Sequence, residues 1–386
     1  MNIFAQAISL LAVRALGFIF PYVGVYVNAL GAERNKIFYF LSLFYLSSSF
    51  AFLLVLREPT SGVDAGYGAD AQYYMDAFDV LSGMTGFDIQ EIVETGLLNT
   101  GSAEPFFWIF SYLLSIIFEN SLAVWWAISS LTLFLIGFSA YKLDKRIGFY
   151  VLALFVSTIT YYVFPGSGLR QGLAFAVLFF SAIELFRNKR MPCTLLAALA
   201  VLTHSSSLPV AVILISGVWE SKSYSVRIIK IFLVLIAAIA FYYLQSVQIE
   251  SKFAAYSEVS RQDLAYVQAL VESVFLAGLL FVFRRLFPSN FKNSFCFFLI
   301  SLLAVAMFFQ GGGFERYYRY LYVFGMLILA RVSTANLWFL RASLSSAFAW
   351  LLFVVYSRYA DLFVDGGLLG HVFYSPLYLL FQHIES

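Results

Sequence analysis

The amino-acid sequence predicts an all-α fold: a polytopic transmembrane helical bundle with about ten crossings, a re-entrant hairpin and one large external loop. Composition and residue order both support this class. The 386 residues are 61% hydrophobic and only 12% charged, whereas a soluble domain carries roughly 25% charged residues. The apolar residues also fall in long runs. A water-facing surface cannot be built from such an inventory, so the bilayer must solvate most of the chain.

The apolar runs are long enough to cross a membrane as helices. A helix rises about 1.5 Å per residue, so a full span needs about 20 residues. Runs of this length lie near 8–31, 37–56, 121–141, 147–165, 229–247, 265–283, 294–310 and 342–358, and slightly shorter ones near 172–187 and 317–332. The first run is too long for the apolar core of a signal peptide, so it is predicted to be a span. Together the runs predict a single transmembrane domain over residues 1–386.

Two apolar regions fit poorly as crossings. The run Phe106–Phe118 is short, and Met191–Val218 is interrupted by His204-Ser205-Ser206-Ser207 and Pro209. Proline costs a helix interior about 3 kcal/mol, and serines before it suit a helix start. We therefore predict a re-entrant hairpin over residues 191–218, built from two half-helices that meet at His204.

Basic residues predict the orientation of the bundle, because they concentrate in cytoplasmic loops. Six clusters are Arg34/Lys36, Lys142/Lys145/Arg146, Arg187/Lys189/Arg190, Lys222/Arg227/Lys230, Arg284/Arg285/Lys292 and Arg331/Arg341. All six share one side if residues 191–218 re-enter and Phe106–Phe118 does not cross. The segment 57–104 is then an external, periplasmic loop, rich in acidic residues, in which Asp76–Glu94 is predicted as an amphipathic surface helix.

A glycine-rich segment, Pro165-Gly166-Ser167-Gly168-Leu169-Arg170-Gln171-Gly172, ends one apolar run and opens the next. Arg170 is expected at a helix N-terminus, where N–H groups and the helix dipole attract anions. Its planar guanidinium suits a phosphate or pyrophosphate bidentately. This pattern predicts an anion site at Arg170. An arginine that reaches lipid headgroups explains the same residue without a function.

Three further residues are candidate general bases, and the sequence does not choose among them. His204 lies at the predicted hairpin tip, and a histidine side chain can serve as acid, base or phosphate partner. A neutral histidine bonded inside the bundle explains it as well. Asp70 near Tyr73, and Glu104 before Phe106 and Phe107, place carboxylates beside aromatic side chains. Such carboxylates act as bases or bind sugar hydroxyls. An ordinary solvated acidic loop is the alternative.

A pair of arginines follows Gly311-Gly312-Gly313. Arg316 and Arg319 are spaced i, i+3 and so share one helix face. Tyr317 and Tyr320 beside them combine a stacking face with a hydroxyl, as sugar sites often require. An aromatic belt at the membrane interface explains these tyrosines too, but it does not explain the arginines.

Several classes of function are disfavoured by the residue inventory. The net charge of +2 gives no field for a nucleic acid partner. Cys193 and Cys296 lie far apart, and the three histidines are scattered, so no disulfide framework or metal cluster is predicted. The chain also lacks an Asp-x-Asp pair for Mg²⁺. We therefore predict a function without a metal or other cofactor.

The combination of motifs resembles the EpsG/Wzy-type bacterial polysaccharide polymerases. The resemblance is carried by Gly68-x-Asp70-x-x-Tyr73, Glu104-Pro105-Phe106-Phe107, Leu169-Arg170-Gln171-Gly172-Leu173-Ala174, Leu199-Ala200-x-x-Thr203-His204-Ser205-Ser206 and Arg316-Tyr317-x-Arg319-Tyr320. The first motif departs from the family's usual Gly-Thr-Asp-Tyr, which weakens the case for Asp70. The resemblance implies a multi-pass protein of the bacterial inner membrane.

The resemblance implies that the protein joins oligosaccharide repeat units, carried on undecaprenyl diphosphate, into O-antigen, capsule or exopolysaccharide. It implies a metal-independent glycosyltransferase with the lipid bilayer, a chain-length regulator and a flippase as partners. Arg170, His204, Asp70 and Arg316 are then the catalytic candidates. Arg319, Gln171, Glu104, Tyr73, Tyr317 and Tyr320 are the candidate substrate-binding residues. A lipid-linked oligosaccharide flippase or transporter and an O-antigen ligase are the alternatives.

Overall fold

A computed structural model describes residues 20–30, 36–55, 69–101, 103–158, 161, 168–219, 262–308, 314 and 317–358. Within these ranges the regular structure is helical, and no strand occurs. The helices are α1 (Pro21–Leu30), α2 (Lys36–Val55), α3 (Ala69–Ser82), α4 (Ile89–Thr100), α5 (Pro105–Phe118), α6 (Ser121–Leu143), α7 (Ile147–Val156), α8 (Leu169–Phe186), α9 (Arg190–Thr203), α10 (Leu208–Val218), α11 (Gln262–Val282), α12 (Ser289–Phe308), α13 (Leu321–Ala335) and α14 (Leu337–Arg358). The all-α prediction is confirmed for this part of the chain.

Four of the described helices are long and apolar enough to cross a membrane. They are α2, α6, α8 and residues 289–306 of α12. Helices α4 and α5 pass the same test only together, and the 100° bend between them fits either a broken span or a re-entrant loop. The predicted count of about ten crossings stays a prediction, because the run near 229–247 and most of the run near 8–31 lie outside the described residues.

Polar side chains define where several helices begin. The Asn120 side chain accepts a hydrogen bond from the Ala123 N–H at 3.1 Å, at the start of α6. Asp88 accepts from the N–H groups of Gln90 and Glu91 in the first turn of α4, at 2.8 and 3.3 Å. Each acceptor satisfies N–H groups that lack an intrahelical partner, which stabilises a helix by about 1 kcal/mol.

The described helices form two compact units. The first contains α1 to α4, most of α5, α6, α7, the first residues of α8 and α14. In this unit α6 packs along α2 and α7. The second contains residues 101–108, the remainder of α8, α9 to α12 and most of α13. In this unit α10 packs against α9 and α12.

Helices α9 and α10 form an antiparallel hairpin that turns at His204. Trp219, just after α10, donates its indole N–H to Thr194 near the start of α9 at 3.1 Å. The Arg190 guanidinium lies 5.5 Å from the Trp219 ring centroid. These two contacts therefore hold the start of α9 close to the end of α10. Its entry into the membrane from one side stays a prediction.

The described part of the segment 57–104 contains two helices, α3 and α4. Helices α3 and α4 are separated by residues 83–88, so the prediction of one helix over Asp76–Glu94 is wrong. The chain turns at Gly83, and Asp88 then caps a new helix. The position of this segment on the periplasmic side stays a prediction.

Candidate functional site

Arg170 lies in the first turn of α8. The first intrahelical hydrogen bond runs from the Gly172 N–H to the Gly168 carbonyl at 2.8 Å, so Gly168 caps the helix. By position, the N–H groups of residues 169–171, which precede this bond, have no acceptor inside the helix. Arg170 is half-buried there, and Gln171 beside it is buried. The predicted arrangement of an arginine at a helix N-terminus is therefore present.

The Arg170 side chain is held by Tyr74 of α3. Its Nε–H donates to the Tyr74 hydroxyl at 2.8 Å, and the guanidinium carbon lies 5.4 Å from the Tyr74 ring centroid. Tyr74 is only 2% exposed and its ring packs against Phe78. A buried, rigid acceptor fixes the direction of the guanidinium, which is what bidentate anion binding requires. We call Arg170, Gln171 and Tyr74 the arginine cluster.

The sequence predicts Tyr73 as a substrate-binding residue, whereas the tyrosine that contacts Arg170 is Tyr74. Tyr73 is 50% exposed and has no described contact with Arg170. Helical periodicity was the available signal, because residues at i, i+3, i+4 and i+7 share one face. Tyr74 belongs to the buried set Tyr74, Ala77, Phe78 and Leu81 of α3. Asp70 lies in the first turn of the same helix, and its side chain is outside the described part of the structure.

His204 owes its position to the break between α9 and α10. Its backbone is extended, with φ −159° and ψ 123°. Its N–H still donates to the Ala200 carbonyl, at 2.9 Å. Its own carbonyl accepts from both the N–H and the hydroxyl of Ser207, at 3.1 and 2.8 Å. These bonds pair the N–H and carbonyl groups of His204 at the hairpin tip, and they fix the backbone position from which the imidazole extends.

The imidazole of His204 pairs with the carboxylate of Glu104. The Nδ1–Oε1 distance is 2.8 Å, and the two residues are 8% and 7% exposed. Glu104 lies at the start of α5, where its carbonyl accepts from the Trp108 N–H at 3.3 Å. A carboxylate only accepts, so we assign the proton to Nδ1, and Nε2 then carries the lone pair. This pair is the arrangement of an oriented general base.

The hairpin tip is also joined to the segment before α13. The hydroxyls of Ser206 and Tyr320 lie 2.9 Å apart, and both residues are fully buried. The Tyr320 ring stacks on Phe175 of α8, with centroids 6.5 Å apart. We call Glu104, His204, Ser206 and Tyr320 the histidine cluster. All of its members belong to the second unit.

The other residues of the predicted arginine and tyrosine motif differ in their burial and contacts. Tyr317 is fully buried, and its hydroxyl bonds to Ser301 of α12 at 2.5 Å. Arg319 is half-buried in the turn before α13. Arg316 lies outside the described residues. The hydroxyls of Tyr317 and Tyr320, the predicted sugar-binding tyrosines of this motif, are thus bonded to protein, and their contact with sugar stays a prediction.

Comparison with known proteins identifies the family. A model of the EpsG family matches residues 59–364. The chain belongs to the EpsG family. A relative named "EPS I polysaccharide export inner membrane protein EpsF" from Ralstonia nicotianae is 29% identical over 361 residues, which cover 86% of this chain and 84% of that protein. The protein of the same name from Ralstonia solanacearum is 28% identical over 362 residues, with the same coverage. No solved structure matches.

The family assignment confirms the resemblance that the motifs predicted. The matched relatives are named inner membrane proteins, and this EpsG-family chain has at least four helices able to cross a membrane. It is therefore a multi-pass protein of the inner membrane. Among the residues described, no group of three or more His, Cys, Asp or Glu side chains is placed to hold a metal ion.

Proposed function

We propose that this EpsG-family protein is a polysaccharide polymerase. It joins oligosaccharide repeat units, each carried on undecaprenyl diphosphate, at the outer face of the inner membrane. The pairing of His204 with Glu104 carries this proposal. Glycosyl transfer needs a base for the attacking hydroxyl and a cation for the departing diphosphate. His204 with Glu104 is the proposed base and Arg170 is the proposed cation, and each is held by contacts within its own unit.

The transfer step follows from these roles. The acceptor sugar hydroxyl attacks the anomeric carbon of the donor sugar, and a new carbon–oxygen bond forms. The bond from that carbon to the phosphate oxygen breaks, and the lipid diphosphate leaves with the electron pair. Nε2 of His204 takes the hydroxyl proton, and the Glu104 carboxylate stabilises the imidazolium through Nδ1–H. A return of this proton to solvent or product restores the base.

Arg170 stabilises the negative charge that develops on the leaving diphosphate. A guanidinium presents parallel N–H donors that match two phosphate oxygens. The N-terminus of α8 adds N–H groups and the positive end of its dipole. The Tyr74 bond fixes the guanidinium before the substrate arrives, so little reorganisation is needed during the reaction. Gln171 follows Arg170 in the sequence, and its amide is a further candidate donor.

The length of α8 supports an outward position for Arg170. This helix has 18 residues, or about 27 Å of rise, and is long enough to cross the membrane. Its far end carries Arg187, which is followed by Lys189 and Arg190. Basic residues favour the cytoplasmic side. The opposite end of the helix, with Arg170, then faces the periplasm, where a lipid-linked oligosaccharide is accessible.

A deletion strain complemented with variants tests the proposal. The deletion is expected to leave single repeat units on the lipid carrier, and the wild-type gene should restore a ladder of long chains on a gel. His204→Ala and Arg170→Ala should each fail to restore long chains while the protein remains in the membrane fraction. A normal ladder in either variant would remove that residue from the reaction.

The same strain separates the alternative functions. Loss of a ligase leaves polymer attached to the carrier, whereas loss of a polymerase leaves single units. Loss of a flippase leaves the lipid-linked units inaccessible to reagents added outside spheroplasts. Polymer on the carrier, or inaccessible units, would therefore overturn the polymerase assignment.

A further inference from the structure

Glu272 of α11 is a half-buried carboxylate in the second unit. It accepts hydrogen bonds from two tyrosines on neighbouring turns of the chain. The Tyr318 hydroxyl donates to Oε2 at 2.5 Å, and the Tyr322 hydroxyl donates to Oε1 at 3.2 Å. The Gln268 amide also donates to Oε1, at 2.8 Å. A helix predicted to cross a membrane rarely carries an acid without a role, because an unpaired one is costly there.

The two tyrosines belong to a short segment, Tyr317–Tyr322, in which every tyrosine is tied to another element. Tyr317 bonds to Ser301 of α12, Tyr318 and Tyr322 to Glu272 of α11, and Tyr320 to Ser206 at the hairpin tip. Aromatic packing adds to this, since Phe314 stacks between Tyr266 and Tyr318 at 4.3 and 6.1 Å. The tyrosines are thus anchors of the segment.

Arg319 is the one charged residue of this segment, and it lies between the two Glu272 partners in sequence. Residues 319–320 form a turn, in which the Arg319 carbonyl accepts from the Tyr322 N–H at 3.2 Å. The turn is therefore fixed on both sides, because Tyr318 before it and Tyr322 after it both donate to the Glu272 carboxylate. A shift of Tyr318 or Tyr322 moves the backbone from which the Arg319 side chain extends.

We propose that Glu272 is a positioning residue for Arg319. It clamps Tyr318 and Tyr322 with its two oxygens, and so fixes the turn that presents the Arg319 guanidinium to the phosphates of a lipid-linked substrate. This inference rests on the proposed function, which makes a lipid diphosphate the substrate. A charged acceptor forms stronger hydrogen bonds than a neutral one, so a carboxylate suits this clamp better than an amide.

Kinetic measurements with purified protein in lipid vesicles test whether Glu272, through Tyr318 and Tyr322, positions Arg319; we call this arrangement the clamp. The substrate is the lipid-linked single repeat unit isolated from the deletion strain. Arg319→Ala should raise the KM for this substrate, and Glu272→Ala should raise it by about tenfold, because a displaced binding group loses most of its contact energy. Glu272→Gln keeps one acceptor oxygen and should give a smaller rise. A variant that only folds poorly lowers the active fraction and leaves KM unchanged.

The tyrosines supply the decisive comparison. The double variant Tyr318→Phe with Tyr322→Phe should raise KM as much as Glu272→Ala does. Adding Glu272→Ala to that double variant should change KM no further, because the carboxylate acts through the two hydroxyls. Tyr150→Phe is the matched control, since it removes a buried hydroxyl that bonds Ser333 and Ser343 in the first unit. Its KM should match that of the wild type.

The outcomes separate this inference from the function on which it rests. If the wild type forms no polymer from the isolated units, both are overturned. If the wild type polymerises and Arg319→Ala raises KM while Glu272→Ala does not, only the clamp is overturned. If neither variant changes KM, Glu272 does not act through Arg319, and the polymerase assignment stands on the other residues.

Discussion

The imidazole of His204 lies 2.8 Å from the carboxylate of Glu104, which precedes it by 100 residues. Each residue sits at a break in an apolar stretch: His204 between α9 and α10, and Glu104 at the start of α5. Both are buried, so the pair is shielded from solvent and the interaction is strong. The carboxylate sets both the tautomer and the orientation of the ring. The two residues therefore form one buried, hydrogen-bonded pair, which the proposed function uses as its base.

The first prediction concerns the separate contributions of this pair. His204→Ala should lower the rate of polymer formation by about 100-fold or more, because the base is lost. Glu104→Gln should lower it by a smaller factor, since an amide still bonds the ring but stabilises the imidazolium less. Initial rates with the isolated lipid-linked unit measure both. Because the two residues act as a unit, the double variant should be little slower than His204→Ala.

The control for this prediction is Tyr112→Phe. It removes a hydroxyl that donates to the Gly86 carbonyl at 2.9 Å and lies outside both clusters. Its rate should be close to that of the wild type. A Glu104→Gln rate equal to the wild type would show that Glu104 does not orient the base. A fully additive double variant would show that the two residues act independently.

The second prediction is that lysine does not replace Arg170. The Nε–H of Arg170 is bonded to Tyr74, and the guanidinium extends beyond that bond. A lysine ammonium has a similar charge, but it cannot use one fixed donor for Tyr74 and a parallel pair for phosphate. Arg170→Lys should therefore lose long chains nearly as fully as Arg170→Ala does. Polysaccharide gels and an immunoblot of the membrane fraction check this, and a normal ladder from Arg170→Lys would show that charge alone suffices.

The third prediction distinguishes Tyr74 from Tyr73. Tyr74→Phe keeps the ring but removes the acceptor for Arg170, which costs about 1 kcal/mol and should lower polymerisation roughly fivefold. Tyr73 is half-exposed, so Tyr73→Phe should have the smaller effect if the arginine cluster is as described. Relative rates at equal protein in the membrane measure the difference. A larger effect at Tyr73 would support the sequence-based choice of Tyr73 and weaken the role of Tyr74.

The sequence predicts the candidate site residues more readily than the contacts between them. Arg170, Glu104 and His204 were identified because each is a polar residue at the edge of an apolar run, where a bilayer makes such residues costly. The contact of His204 with Glu104 could not be predicted, because it depends on how the α9–α10 hairpin packs. The burial of Tyr74 could have been predicted from the helical periodicity of α3. Glu272 was missed because a single acid inside a long apolar run gives no motif.

The break between α3 and α4 shows a signal that was present and not used. Asp88 and Glu91 are spaced as in a capping box, which predicts a helix start at Asp88. The structure uses Asp88 in this way, with bonds to the Gln90 and Glu91 N–H groups. The prediction of one amphipathic helix over Asp76–Glu94 did not take this capping pattern into account. Local capping chemistry was the better guide here, because it fixes the ends of a helix while periodicity reports only its faces.

The fourth prediction concerns the packing of α7 in the first unit. A methyl group on Gly148 would overlap the Tyr39 hydroxyl of α2 and lie 2.8 Å from the Gly137 carbonyl oxygen of α6. The carbonyl belongs to the backbone and cannot rotate away. Gly148→Ala should therefore lower the free energy of unfolding by about 1–3 kcal/mol. The midpoint of thermal unfolding in detergent measures the loss.

Two further variants make this prediction specific. Tyr39→Phe removes the hydroxyl but leaves the carbonyl contact, so it should restore only part of the stability lost in Gly148→Ala. Gly278 of α11 has no atom within 4 Å of a methyl built there, so Gly278→Ala should keep or raise the unfolding midpoint. An unchanged midpoint in Gly148→Ala would show that α7 can move away from α2 and α6. Full recovery with Tyr39→Phe would show that the hydroxyl alone sets the spacing of these helices.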